Sequence, residues 1–287
     1  MKNFEECRRM YWFGAYGMWD GWDARADART KEIYILSKLK NRWMWVGEVV
    51  HNAVAELLET YRAGGTVAEI DIRERMRVQW KSSRDEVYRQ PRKAKTTALI
   101  EHDYDIEVDD WKEVALHAET CFQNFLQSSY HNDLKELTRD QWLGIEELDS
   151  FFLDESRVFV KLDAVHRTSD GIRIVDWKTG RKESESDPFQ LAVYALYAND
   201  AWRIPPDKIE VHEVNLTRGK VYNRMISAPE IEKTQGEMIA SIREMKAQLA
   251  SSPEENIAQE KDYPVTEDAF RCRNCRFQKV CTDRPAS

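Results

Sequence analysis

No apolar run in this sequence approaches the ~20 residues that span a bilayer, so no membrane helix is expected. No leader with an apolar core opens the chain, which begins Met1-Lys-Asn-Phe-Glu-Glu, and the expected location is cytoplasmic and reducing. Internal repeats and low-complexity tracts are absent, which excludes repeat architectures. Cysteine is sparse, five in 287 residues, and in a reducing compartment that excludes a disulfide framework. Positive charge is in deficit: 43 Lys and Arg against 51 Asp and Glu give a net charge of −8. A uniformly basic nucleic-acid binder is thereby excluded, although the distribution of charge matters more than its sum.

What is present is a chain with apolar residues enough for a sizeable core, at 42%, and a length that allows one or two domains. Helical spacing predicts helices over 32–62, 106–128, 132–141, 187–199 and 229–251. Alternation predicts strands over 144–153, 157–166, 172–178 and 208–217. The pattern reads as one α/β domain, residues 1–287, with a helical insertion over 70–140. Positive charge gathers locally: from Arg73 to Lys95 there are nine Lys or Arg against three acids, with Trp80 and Tyr88 among them. Cations interleaved with aromatics suit a single strand, whose phosphates pair while its bases stack; an ordinary solvated helical arm reads almost as well. A smaller basic group, Arg271, Arg273, Arg276 and Lys279, surrounds the C-terminal cysteines.

The densest chemistry lies in Asp163 and Asp176-Trp177-Lys178. Asp170-Gly171 sits between two apolar, β-branched runs, the signature of a two-residue type I′ hairpin. That turn pairs Ser169 with Ile172 and sets Val165 opposite Asp176, which makes Asp163 and Asp176 diagonal neighbours. Strand side chains alternate faces, so Asp163, Asp176 and Lys178 fall together. Two carboxylates and an ammonium are costly on a sheet unless they bind something, and the set suits a hard divalent cation and a phosphate. Asp-x-Lys alone has low specificity, since such charges are often merely solvated.

Four further features agree. Asp187-Pro188 opens a helix as N-cap and first residue, and Gln190, Tyr194 and Tyr197 share a face of it. His51 is embedded in the apolar helix that contains Gly47; it is either a structural histidine or a third metal ligand. Glu146 or Glu147 offers a carboxylate at the strand entry. Cys272-x2-Cys275-x5-Cys281 and the distant Cys7 read as a four-thiolate site joining the chain ends, open to zinc or to an iron–sulfur cluster on spacing alone. Cys121 reads as a buried thiol.

The ordered set resembles the RecB-like branch of the PD-(D/E)XK nuclease superfamily, and more closely its iron–sulfur members, such as the AddB nuclease subunit and the CRISPR-associated adaptation exonucleases. The elements are Cys7-Arg-Arg-Met-Tyr11, Gly47-x3-His51, Glu146 or Glu147, Asp163, Asp176-x-Lys178-Thr-Gly180, Gln190-x3-Tyr194 and the three C-terminal cysteines. The resemblance implies a restriction-endonuclease-like core: a central mixed β-sheet flanked by helices. It also implies a cysteine-rich segment, 264–287, that closes on the N-terminus. Asp163, Asp176 and His51 would hold Mg²⁺ or Mn²⁺, Lys178 would orient the attacking water, and Gln190 and Tyr194 would position the scissile strand. Cys7, Cys272, Cys275 and Cys281 would hold a [4Fe–4S] cluster rather than zinc. The implied activity is metal-dependent hydrolysis of DNA phosphodiesters, on single-stranded or unwound ends, with a helicase, recombination or CRISPR-adaptation protein as partner. A non-catalytic DNA-binding or scaffolding subunit is the alternative.

Overall fold

A computed structural model describes residues 2–66, 70–90, 97–181 and 188–285. The expected N-cap Asp187 lies outside them, as do Arg92, Lys93 and Lys95 of the basic stretch. The helices in chain order are α1 (Lys2–Glu6), α2 (Arg8–Trp12), α3 (Ala28–Lys38), α4 (Arg42–Arg62), α5 (Ile72–Arg84), α6 (Ile100–Asp103), α7 (Trp111–Leu126), α8 (Ser129–Lys135), α9 (Pro188–Trp202), α10 (Ala228–Ala247) and α11 (Ala269–Arg273). The strands are β1 (Trp142–Ile145), β2 (Leu148–Leu153), β3 (Ser156–Lys161), β4 (Ala164–Arg167), β5 (Ile172–Lys178), β6 (Ile209–Asn215) and β7 (Lys220–Met225). They form two compact units: residues 1–42, 78–107 and 240–287, and residues 43–77 and 108–239. The helical stretch 70–140 is divided between them. No helix among the described residues is long and apolar enough to cross a membrane.

The second unit holds a five-stranded mixed sheet in the order β1-β4-β5-β6-β7, parallel between β5 and β6 and antiparallel elsewhere. One face of it, through Trp177 and His212, packs on α7 and α8: Trp177 meets Phe125 and Tyr130 edge-on, with ring centroids 5.2 and 6.0 Å apart. The other face carries Asp176, which meets α9 through Tyr194 and Gln190. A separate two-stranded ribbon, β2–β3, packs Phe151 against Tyr197 of α9.

The strands expected over 144–153 and 157–166 are each broken, at Glu146–Glu147 and at Leu162–Asp163. Glu146 takes a left-handed backbone, φ +51°, and its N–H bonds to Leu162 and Asp163 carbonyls, both at 3.0 Å. The break detaches the ribbon from the sheet. The β4–β5 register also differs from expectation: Val165 lies opposite Ile174, and Ala164 opposite Val175. Continued by one pair, this register sets Asp163 directly across from Asp176 rather than diagonal to it. The turn lies one residue earlier than expected, because Thr168 closes it: its N–H donates to the Gly171 carbonyl at 2.9 Å, and its hydroxyl accepts from the Gly171 N–H at 3.0 Å. Gly171 is there for space. A Cβ on it would meet the Lys208 carbonyl oxygen at 2.1 Å, where the chain enters β6.

In the first unit, the helix expected over 32–62 is interrupted. Lys40 leaves the helix to exchange backbone bonds with Ala98 and Ile100, at 2.9 and 3.0 Å. The buried Arg9 guanidinium reaches Tyr263 O at 2.8 Å and the carboxylates of Glu260 and Asp283 at 3.1 Å each. Phe13 packs on Phe277, with ring centroids 5.2 Å apart.

Candidate active site and metal centre

The broken strands bring carboxylates to a single point. Where β4 has not yet begun, Asp163 Oδ2 accepts the Trp177 backbone N–H at 2.7 Å, so the side chain replaces a missing strand partner and is fixed by it. Its other oxygen lies 3.3 Å from His51 Nδ1, and Glu146 Oε1 lies 3.0 Å from the same nitrogen. His51 comes from α4, which can lie close to the end of β5 because Gly47 stands one turn earlier; a Cβ there would press on Thr179 Oγ1 at 3.3 Å.

The tautomer of His51 follows from its other nitrogen. Nε2 lies 3.0 Å from the Trp177 carbonyl, which can only accept, so Nε2 carries the proton. In the neutral ring, Nδ1 then turns a lone pair toward two carboxylates, an arrangement that needs a cation among them. In the protein alone a second proton supplies it. Burial by itself would pull the imidazole down, but the Asp163 and Glu146 carboxylates reverse that and carry it up to about 10. Glu146 is held below the usual carboxylate range: burial would raise it, and bonds from His51 and Lys161 outweigh burial. Among the described residues, His51, Glu146 and Asp163 form the one such trio whose ligand atoms all lie within 4.8 Å of one another.

Beside this trio, Asp176 is almost fully buried, and burial together with the Asp163 charge pushes its carboxyl well above the usual range, against the pull of Lys178. Lys178 Nζ lies 2.6 Å from Asp176 Oδ2 and donates to Gln190 Oε1 at 3.0 Å. Tyr194 donates to Asp176 Oδ1 at 3.2 Å, and Gln190 Nε2 lies 2.6 Å from the Tyr194 oxygen. All six expected residues, His51, Asp163, Asp176, Lys178, Gln190 and Tyr194, therefore meet in one place. Of the two glutamates it is Glu146 that joins them, whereas Glu147 is exposed and pairs with Arg62.

Three neighbours escaped the sequence reading. Lys161 forms an ion pair with Glu146; its alternation with Asp163 in Lys161-Leu-Asp163 was the available signal. Glu213 and Asn215 of β6 lie opposite Asp176 and Lys178 and are buried. They share a strand face with the apolar Ile209 and Val211 and turn its last third polar.

Among the described residues, four cations of the expected basic arm are held in ion pairs. Arg73 pairs with Glu119, Arg75 with Glu56, Arg77 with Glu74 and Arg89 with Glu32. Tyr88 is a core residue that donates to Asp103 at 2.7 Å. Around the cysteines, Arg271 pairs with Glu6 and Lys279 with Asp103.

In the first unit, Cys7, Cys272, Cys275 and Cys281 line one cavity of about 400 Å³, walled by Phe13, Phe270 and Phe277. All are free thiols. Burial raises Cys272 and Cys275, and carries Cys281 up to about 11. Cys121 lies elsewhere, buried on α7.

The family model of the PD-(D/E)XK nuclease superfamily matches residues 2–282, nearly the whole chain. The chain belongs to the PD-(D/E)XK nuclease superfamily. Its mixed sheet flanked by helices is the restriction-endonuclease-like core of that fold, as the sequence led us to expect. Among solved structures it is similar to an exonuclease candidate from Eubacterium rectale: 12% identity, over 78% of this chain and 80% of the other, with a TM-score of 0.39. It is also similar to the protein SSO0001, at 14% identity over 82% and 98% of the two chains and a TM-score of 0.30. None of the curated proteins matches the sequence.

Proposed function

We propose that the protein is a divalent-metal-dependent deoxyribonuclease acting on single-stranded or unwound DNA ends. The observation that carries the reading is His51 Nδ1 facing the Asp163 and Glu146 carboxylates, with its other nitrogen committed to the Trp177 carbonyl. These three residues would hold Mg²⁺ or Mn²⁺, with Asp176 reaching the same ion from the adjoining strand. When bound, such a cation lowers the pKa of water and draws charge from a phosphate. Asp163 keeps its orientation through the Trp177 N–H, so the ligand set is built before any substrate arrives. Lys178, held by Asp176 and Gln190, presents an ammonium to charge developing on the phosphoryl oxygens and orients the attacking water. Tyr194 and Gln190 fix Asp176 and line the approach of the scissile strand.

Cys7, Cys272, Cys275 and Cys281 would hold a [4Fe–4S] cluster in their cavity, as in the iron–sulfur members of the superfamily. Support comes from the four free thiols lining one cavity and from a space larger than one ion needs. Because the family match spans both compact units, we assign them to one functional domain.

The test is cleavage of end-labelled DNA with Mn²⁺, with EDTA, and by Lys178→Ala. Cutting that needs the metal and falls about 100-fold or more in the variant is expected, the loss typical of removing one donor to transition-state charge. Intact DNA after incubation with well-folded, metal-replete protein would instead mark a non-catalytic DNA-binding subunit.

A further inference from the structure

The β2–β3 ribbon has two unlike faces. The inner one buries Phe151, Leu153 and Val160. Strand alternation leaves Leu148, Ser150 and Phe152 of β2, and Arg157, Phe159 and Lys161 of β3, on the outer one. An outward face is ordinarily polar, yet Leu148, Phe152 and Phe159 are 69, 72 and 59% exposed. The only charges among these six residues are the cations Arg157 and Lys161. The Arg157 guanidinium lies 4.9 Å from the Phe159 ring centroid and donates to Ser150 Oγ at 2.9 Å, which holds the ring in place. The ribbon is closed by Asp154-Glu155, both at positive φ, +47° and +61°, the backbone of a tight two-residue turn. At its base Lys161 pairs with Glu146, a member of the metal-site trio.

We propose that this face is a base-stacking platform that takes a single nucleic-acid strand and leads it to the carboxylate site; the inference rests on the nuclease reading above. Exposed rings accept any unstacked base, and interspersed cations pair with the phosphates between bases. A duplex, with its bases already stacked, gains nothing from the rings. The face carries no acid to repel the backbone, and it is continuous with the site through Lys161. It therefore supplies single-strand preference without any base-specific contact.

The test uses the full-length protein with Lys178→Ala, to permit binding without cutting, and fluorescence anisotropy of three labelled probes: an oligothymidylate, an abasic oligomer of equal length and a blunt duplex. Phe152→Ala combined with Phe159→Ala should weaken oligothymidylate binding roughly 10- to 100-fold and leave the other two probes unchanged. Trp at both positions should restore it. Both side chains are solvent-exposed, so an unchanged melting temperature is the control on folding. An equal loss on the abasic oligomer overturns the proposal, because bases would then play no part. Undiminished oligothymidylate binding, in a protein whose parent cuts DNA, also overturns it and leaves the face to a protein partner. If the Lys178→Ala parent binds none of the probes, the nuclease reading itself fails.

Discussion

His51 shows how one side chain reports on an ion. Its Nε2–H is committed to a carbonyl, and its Nδ1 faces two carboxylates, so in the protein alone a proton occupies the place we assign to the metal. Because that proton is bound with a pKa near 10, a cation must displace it. Affinity should therefore rise with pH across the neutral range, and Mn²⁺ binding should release close to one proton. Calorimetry in buffers of different ionisation enthalpy reads this directly; a pH-independent affinity with no proton released would remove His51 from the ligand set. Most of the site was legible at this scale, because Asp163, Asp176, Lys178, Gln190 and Tyr194 each sit in a local pattern. Lys161 was only half legible: its alternation with Asp163 puts it on the same face, but nothing local says which of two neighbouring glutamates it will meet.

At the scale of elements, the face of each strand was legible and its partner was not. The true β4–β5 register differs from the expected one by two residues, and an even slip keeps every side chain on its face. That is why Asp163 and Asp176 converge although the turn was misplaced. The position of the β4–β5 turn was hidden because Gly171 imitates a turn glycine while serving as a gap for the Lys208 backbone, whereas the turn at Asp154-Glu155 falls in the gap expected between 153 and 157 although it contains no glycine. Gly171→Ala should accordingly destabilise the protein by about 1–3 kcal/mol through overpacking, although Gly171 is not at positive φ. Urea denaturation would show it, and unchanged stability would mean that β6 yields freely. The break at Leu162–Asp163 was equally invisible, since polar and apolar residues alternate from Lys161 to Ala164, while the consecutive acids Glu146-Glu147 interrupt the alternation at the other break.

On the scale of the molecule, the spacing suggested that cysteines from both ends of the chain share a site, and they line one cavity, but it did not say what else holds those ends. Arg9, with three acceptors around Tyr263, Glu260 and Asp283, ties α2 to the C-terminal segment without any cofactor. It was unreadable because its partners lie some 250 residues away. Cys275→Ser should therefore lower iron content and visible absorbance sharply while the melting temperature falls only partway; full iron content would refute the cluster assignment. In the other compact unit, a Mn²⁺ anomalous-difference map of crystals soaked at mildly alkaline pH would locate the ion. We predict a peak bounded by His51 Nδ1, Glu146 and Asp163, beside Asp176. Full Mn²⁺ occupancy elsewhere, with His51 still bonded to both carboxylates, would mean that these residues do not hold the metal.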